Sequence, residues 1–403
     1  MAAQPPQTVR DLRRANRAVL LRRLWFHGPL ARQDLIHHTR LSPGAVSTVT
    51  GELIEDGLLV EAGTLGSDGG RPRVLLRVDP SARQVIGVDI GETRVRVELY
   101  DLDLTERARV EVALTPGQHD PAAALAALAD GLRTVTAQAT APLLGLGIGV
   151  PGVVEHGPET LVHGQTTGWR AVPLARLIGE FTELPVHIDN GATTMGQAEL
   201  WFGAGRGART AVIALLGSGI GASLVLDGAP YRGVGGSAGE WGHTTVQAGG
   251  RACRCGALGC LEAYVGATAL VERYHELGGR DSGDGEEATL AAVLAAASPS
   301  STADVTSVSA AQKVLEEAGE YLGIGLGNLI NLVNPELIVL GGWAGLLLGG
   351  ELLPHIQQAA ARHALRHPFS QARIVLGELG PDAVARGAAT LPVERFLSRG
   401  GVG

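Results

Sequence analysis

Residues 85–100 read VIGVDIGETRVRVELY, and the fold of most of the chain turns on this stretch. Val85 to Ile90 is apolar, and Arg94 to Tyr100 alternates with Val95, Val97 and Leu99 on one face. Alternation at period two marks a strand with one buried side. Between the runs stands a turn, Asp89-Ile90-Gly91-Glu92-Thr93. A glycine there lets backbone N–H groups approach a phosphate, and an aspartate can hold Mg²⁺ through water. Arg109 to Leu114 alternates again, an alanine-rich helix is predicted from Pro121 to about Ala139, and Leu144 to Val150 is a glycine-bearing strand. Three meandering strands, a helix and another strand make an α/β lobe.

Two further glycine turns follow predicted strands. Gly217-Ser218-Gly219-Ile220-Gly221 lies between Ala211 to Leu216 and Ala222 to Leu226, and Gly341-Gly342 ends the strand Ile338 to Leu340. Any one of them could be plain hairpin chemistry, because Asp and Gly are ordinary turn residues. Three together predict a nucleotide cleft between two lobes, lined by Asp89, Gly91, Thr93, Gly217, Gly219, Gly341 and Gly342.

The most specific local signal is Glu240-Trp241-Gly242-His243 followed by Cys253, Cys255 and Cys260. The chain holds only these three cysteines, all within eight residues. An odd, clustered set argues against disulfides and for thiolates on a metal. One imidazole and three thiolates complete a tetrahedral Zn²⁺ shell, closed and therefore structural. Such a loop would present Glu240, His243 and Glu262, groups suited to sugar hydroxyls.

Composition bounds the rest. With 403 residues, two or three domains are expected, and 45% apolar against 18% charged residues excludes a largely disordered chain. Apolar runs fall far short of the ~20 residues a membrane helix needs, and no secretory signal is read, so the chain is expected to be cytoplasmic. Residues 1–78 hold eleven Arg against seven Asp plus Glu, a charge of +4, while the whole chain is −8 and the remainder therefore −12. A basic head on an acidic body points to a polyanion at one end only.

In that head, residues 10–26 have helical periodicity and Ala31 to His38 fits a second helix. Ser42 is a good N-cap with Pro43 behind it, so Pro43 to Asp56 is the third. The second and third make a helix-turn-helix, with Ser47 and Thr48 facing outward to DNA. Leu58 to Gly63 and Val74 to Val78 flank a loop holding Gly69, Gly70, Arg71 and Arg73, a wing whose arginines would meet phosphate or a minor groove. The alternative is a small helical bundle making protein contacts.

Together these elements resemble the ROK family (repressors, open reading frames and sugar kinases), specifically its winged-helix regulators of the NagC, Mlc and XylR type. The resemblance spans about residues 10–395. It rests on Gly69 to Pro72, Asp89 to Thr93, Gly149-Val150-Pro151-Gly152, Trp169 and the His/Cys motif. It implies a winged helix-turn-helix over 1–80, then a two-lobed actin-like (ribonuclease H-like) body. Its lobes would span 84–200 and 201–384, with a C-terminal helix over 385–399 returning to the first lobe. It further implies that Gly152, Asn190, Glu240, His243 and Glu262 meet a sugar. ROK kinases carry an Asn-Asp pair whose aspartate deprotonates the sugar hydroxyl. Here Asp189-Asn190-Gly191 puts Gly191 at that position, and glycine accepts no proton; a register shifted by two would offer Asp189 instead.

The expectation is a repressor of carbohydrate genes that binds double-stranded operator DNA as a homodimer or homotetramer. Its effector would be a sugar or sugar phosphate, and Zn²⁺ its structural cofactor. The alternatives are an ATP-dependent sugar kinase with a DNA-binding head, and a regulator controlled by a partner protein. The polar segment 278–309 is expected to be a peripheral surface excursion with one short helix, and Tyr321 to Val333 a buried helix.

Overall fold

A computed structural model describes residues 8–66, 72–115, 120–280 and 285–402. Thr8 opens the first helix, Val9–His27: its hydroxyl accepts from Asp11 N at 3.2 Å while Asp11 accepts the Thr8 N–H at 3.1 Å, satisfying donors the helix leaves free. Helices Arg32–Thr39 and Pro43–Glu55 follow, joined through Arg40 in the left-handed conformation (φ 58°). Ser42 caps the third, accepting from Ala45 N at 3.2 Å. Strands Leu59–Leu65 and Arg73–Val78 pair antiparallel, and the two-residue strand Leu30–Ala31 joins them. Three helices with a hairpin form a winged helix.

Two five-stranded sheets organise the body, and they repeat one topology. In the first, Gln84–Ile90, Arg94–Asp101 and Glu106–Ala113 meander antiparallel, and Leu143–Val150 and Val186–Asn190 add in parallel on the other side. In the second, Ala211–Leu216, Ile220–Leu226 and Ala229–Tyr231 meander, and Leu337–Gly341 and Arg373–Leu376 add in parallel. Such duplicated sheets leave a crevice at the strand ends, where chains of this kind seat ligands.

Two helices tie the crevice to the head. The cleft helix, Gly191–Phe202, starts beside the glycine turns, and the return helix, Ala383–Ser398, packs against it. At Gly387 a Cβ would stand 1.9 Å from Thr194 O, so only glycine lets the backbones come this close. One buried cluster then joins head and body: Leu20, Leu24, Val46 and Leu53 pack with Tyr100, Trp201, Val393 and Phe396. Arg22 pairs with Glu394 at 2.5 Å, and Arg17 donates to Gly400 O at 2.9 Å. The head therefore shares its core with the body.

Three expectations change. Segment 278–309 is no peripheral excursion: Glu286–Ala297 buries Leu290, Val293 and Ala296 in the second lobe, and from Val305 the chain enters a 29-residue helix that runs through Tyr321 to Val333. Alanine-rich helices carry weak amphipathic patterning, which hid this packing. In the second glycine turn, Ile220 and Gly221 already pair with Leu216 and Leu215, so the turn is Gly217 to Gly219. The first helix includes His27, and Gly28 caps it. Among the described residues, no helix is long and apolar enough to cross a membrane.

Candidate functional site

Between the sheets lies a cleft of about 650 Å³. Asp89, Gly91 and Thr93 line it from the first turn, Gly217 and Gly219 from the second, and Gly342 from the third; Gly341 is buried in its strand and does not. Gly152, Asn190, Glu240, His243 and Glu262 line the same cleft. Burial pushes Asp89 up to about 6 and raises the Glu240 carboxyl.

Asn190 organises the inner wall. Its Oδ1 accepts from Ala192 N at 2.8 Å and Thr193 N at 3.2 Å, capping the cleft helix, and its Nδ2 donates to Gly152 O at 2.7 Å. Gly152 has φ +86°, and a Cβ there would stand 2.3 Å from His163 O, so the loop requires glycine. Behind Asn190, Gly191 takes the first helical position and faces the cleft without a side chain. Asp189, the candidate of the shifted register, is buried and turned to Arg232 at 2.7 Å, with Oδ1 accepting the Asn190 N–H at 2.9 Å. It is not part of the cleft wall.

Glu262 is buried and already engaged: Oε2 accepts from Ile220 N at 2.9 Å, and Oε1 lies 3.5 Å from the Arg254 guanidinium. His243 borders both the cleft and the cysteine cluster. Its Nδ1 is 3.7 Å from Cys253 Sγ, Cys255 and Cys260 sulfurs are 3.8 Å apart, and all four ligand atoms lie within 4.8 Å of one another. Tetrahedral ligands about 2.3 Å from one ion are spaced about 3.8 Å apart, so the set can hold a metal. Burial pushes the Cys253 thiol up to about 12, which makes thiolates here dependent on a cation.

The head presents Ser47 and Thr48, both exposed on the third helix. Arg73 instead reaches Asp34 at 3.4 Å, and Arg71 lies outside the described residues. Several head arginines are spent internally: Arg13 and Arg17 pair with Glu52.

Pattern reading missed the groups that bridge the cleft. Arg254, between Cys253 and Cys255, meets Glu92 of the first turn at 2.5 Å. Arg94 meets Glu287 at 3.2 Å. His163 and Glu155 pair at 3.0 Å on the cleft rim, and Trp343 follows the third turn. Only Trp343 carried a signal, a bulky residue directly after a glycine pair.

Residues 85–395 match the ROK family. The chain belongs to the ROK family. Among ROK relatives, a xylose repressor of Caldicellulosiruptor bescii is 30% identical over 96% of this chain and 97% of that protein. A glucokinase of Halalkalibacterium halodurans is 33% identical over 77% of this chain and 95% of that enzyme. A solved ROK transcriptional regulator, a homologue of the Escherichia coli Mlc protein, shares the fold at TM-score 0.77. It covers 97% of this chain and 98% of its own at 24% identity. The repressor alignment thus takes in nearly the whole chain, whereas the glucokinase alignment leaves about a quarter unmatched.

Proposed function

We propose that this chain is a DNA-binding transcriptional regulator of carbohydrate genes, a repressor whose kinase-like body senses a sugar without converting it. The observation that carries the reading is the shared core: a winged helix is packed onto a sugar-kinase-like body through Trp201 and Phe396. Gly152, Asn190, Glu240, His243 and Glu262 would meet the sugar, and Gly191 would leave its hydroxyl without a base. Losing general-base help costs roughly 10²–10⁴ in rate.

Zn²⁺ held by His243, Cys253, Cys255 and Cys260 would fix the loop that carries His243 into the cleft. Ser47 and Thr48, with the wing, would read operator DNA. A homodimer or homotetramer would set two heads on a two-fold site, because half-site spacing follows dimer geometry. Sugar in the cleft would bias the lobes, and the cleft and return helices would carry that bias to the head. Coupling of this kind is typically about 1–3 kcal/mol. The test is operator affinity with and without monosaccharides; an affinity indifferent to every sugar sinks the effector reading.

The glucokinase likeness favours a second reading, an ATP-dependent sugar kinase with a DNA-binding head. Coupled ADP release across hexoses, pentoses and N-acetylhexosamines separates the two. Robust turnover decides for the kinase.

A further inference from the structure

Of the three glycine turns at the cleft, the first two are occupied from within the chain. In the first, Glu92 puts a carboxylate into the turn itself, with its side chain only 11% exposed. Its Oε2 accepts from Arg254 at 2.5 Å and its Oε1 at 3.3 Å. The same guanidinium lies 3.5 Å from Ser218 O of the second turn, so one ion pair spans the gap between the first two turns. Ser218 spends its hydroxyl on Glu286 at 2.6 Å. Over the same turn stands the Trp343 indole, whose Nε1 would lie 3.2 Å from a Cβ at Gly217. A polyphosphate needs open N–H groups and spare cations at these places.

Charge along the wall agrees. Among the described residues lining the cleft, Asp89, Glu92, Glu155, Glu240 and Glu262 are acidic and Arg94 is the one arginine. Arg94 is itself paired with Glu287 and Glu111. A dianion entering here meets carboxylates in a partly desolvated space, where like charges repel far more than in water. A neutral polyol meets acceptors suited to its hydroxyls at Asn190, Glu240 and Glu262, away from Glu92.

We propose that Glu92, through its ion pair with Arg254, makes the cleft selective for a neutral sugar and closes it to nucleotides and phosphorylated sugars. This rests on the sugar-sensing reading above and names the chemical class of its ligand. Glu92 competes with phosphate for Arg254, so removing the carboxylate leaves that guanidinium with only the longer 3.5 Å contacts to Glu262 and Ser218 O and opens it to an anion that enters.

Isothermal titration of the full chain tests this with neutral pentoses, hexoses and N-acetylhexosamines, their terminal phosphate esters, and Mg-ATP. At least one neutral sugar should bind, with its phosphate ester and Mg-ATP at least tenfold weaker. Glu92→Gly should raise affinity for Mg-ATP or the phosphate ester at least tenfold and leave the neutral sugar within about threefold. Adding Arg254→Ala should abolish that gain. Glu92→Gln, which keeps the side-chain shape and removes the charge, should move affinity in the same direction and serves if the glycine variant misfolds. The proposal is overturned if the wild type binds a phosphate ester or Mg-ATP as tightly as the neutral sugar. It is equally overturned if neither Glu92 variant gains anion affinity. A folded chain that binds no saccharide of either class removes the sugar-sensing reading itself, and the selectivity with it.

Discussion

The indole of Trp25, in the first helix of the head, stands edge-on to that of Trp201, with ring centroids 5.0 Å apart and planes at 64°. Trp201 is the penultimate residue of the helix whose first residue is Gly191, so the helix's cleft end lies about 15 Å away at 1.5 Å per residue. Phe26 meets Trp201 at 4.9 Å, and Trp25 Nε1 donates to Leu102 O at 2.9 Å. The aromatic cluster packs the head onto the end of the cleft helix.

Trp201→Ala should therefore act on both stability and communication. Truncating a buried Trp costs about 3–5 kcal/mol, so the thermal midpoint drops. Sugar affinity should stay within about threefold, while the sugar-induced change in operator affinity shrinks toward none. Trp201→Phe should keep most of both. Titrations of sugar and operator on each variant separate the two effects.

Gly191 offers a position where chemistry can be added. A Cβ there meets nothing closer than Val150 O at 3.6 Å, and a carboxylate in a helix's first turn gains about 0.3–1 kcal/mol. Gly191→Asp should fold with an unchanged or higher thermal midpoint. The wild type should show no sugar-dependent ADP release, and Gly191→Asp combined with Glu92→Gly should show it above background.

Metal content is directly measurable. Purified protein should carry one zinc per chain by elemental analysis, and Cys255→Ser or a strong chelator should remove it. Because His243 belongs to both the cysteine cluster and the cleft, zinc loss should weaken sugar binding at least tenfold and lower the midpoint. Operator binding without sugar should change far less.

Glu98 sets a pH dependence. Its side chain is fully buried, and burial pushes its carboxyl from 4.5 up to about 7 despite the hydrogen bond from Tyr100. Arg109 lies 3.2 Å from Oε1 but is not aligned to donate. The folded form holds this proton more tightly than the unfolded one. The stability from this group is full below about 4.5 and is lost as pH rises through about 7, by about 3 kcal/mol in all. Urea midpoints at pH 5 and 7.5 should differ accordingly, and Glu98→Gln should flatten the difference.

Operator binding should weaken steeply with salt, since arginines that neutralise phosphates release counterions. A double-logarithmic plot of affinity against salt should be linear with a clearly negative slope. A flat line would remove DNA from the account and leave the head as a protein-binding bundle.

Much of this was legible one segment at a time. Ser42 with Pro43 announced the third helix, Val95-Val97-Leu99 a half-buried strand, and three cysteines in eight residues a metal loop. Asp189 was ambiguous from its neighbours, and Arg232, 43 positions away, settles where its carboxylate points. Helix Glu286–Ala297 is hard to place from sequence because alanine leaves little pattern to read, and its place against the second lobe is decided by what packs on it.

By itself the amino-acid order determined most of the elements, their sequence along the chain and the absence of a carboxylate at position 191. Caps, alternation and ligand spacing act within one or two turns of chain, so they survive in a linear reading. Tertiary structure alone decided that head and body share a core, and that Glu92 and Arg254, 162 positions apart, pair between the lobes. Charges and aromatic rings meet through space, and no periodicity records a neighbour that only folding supplies.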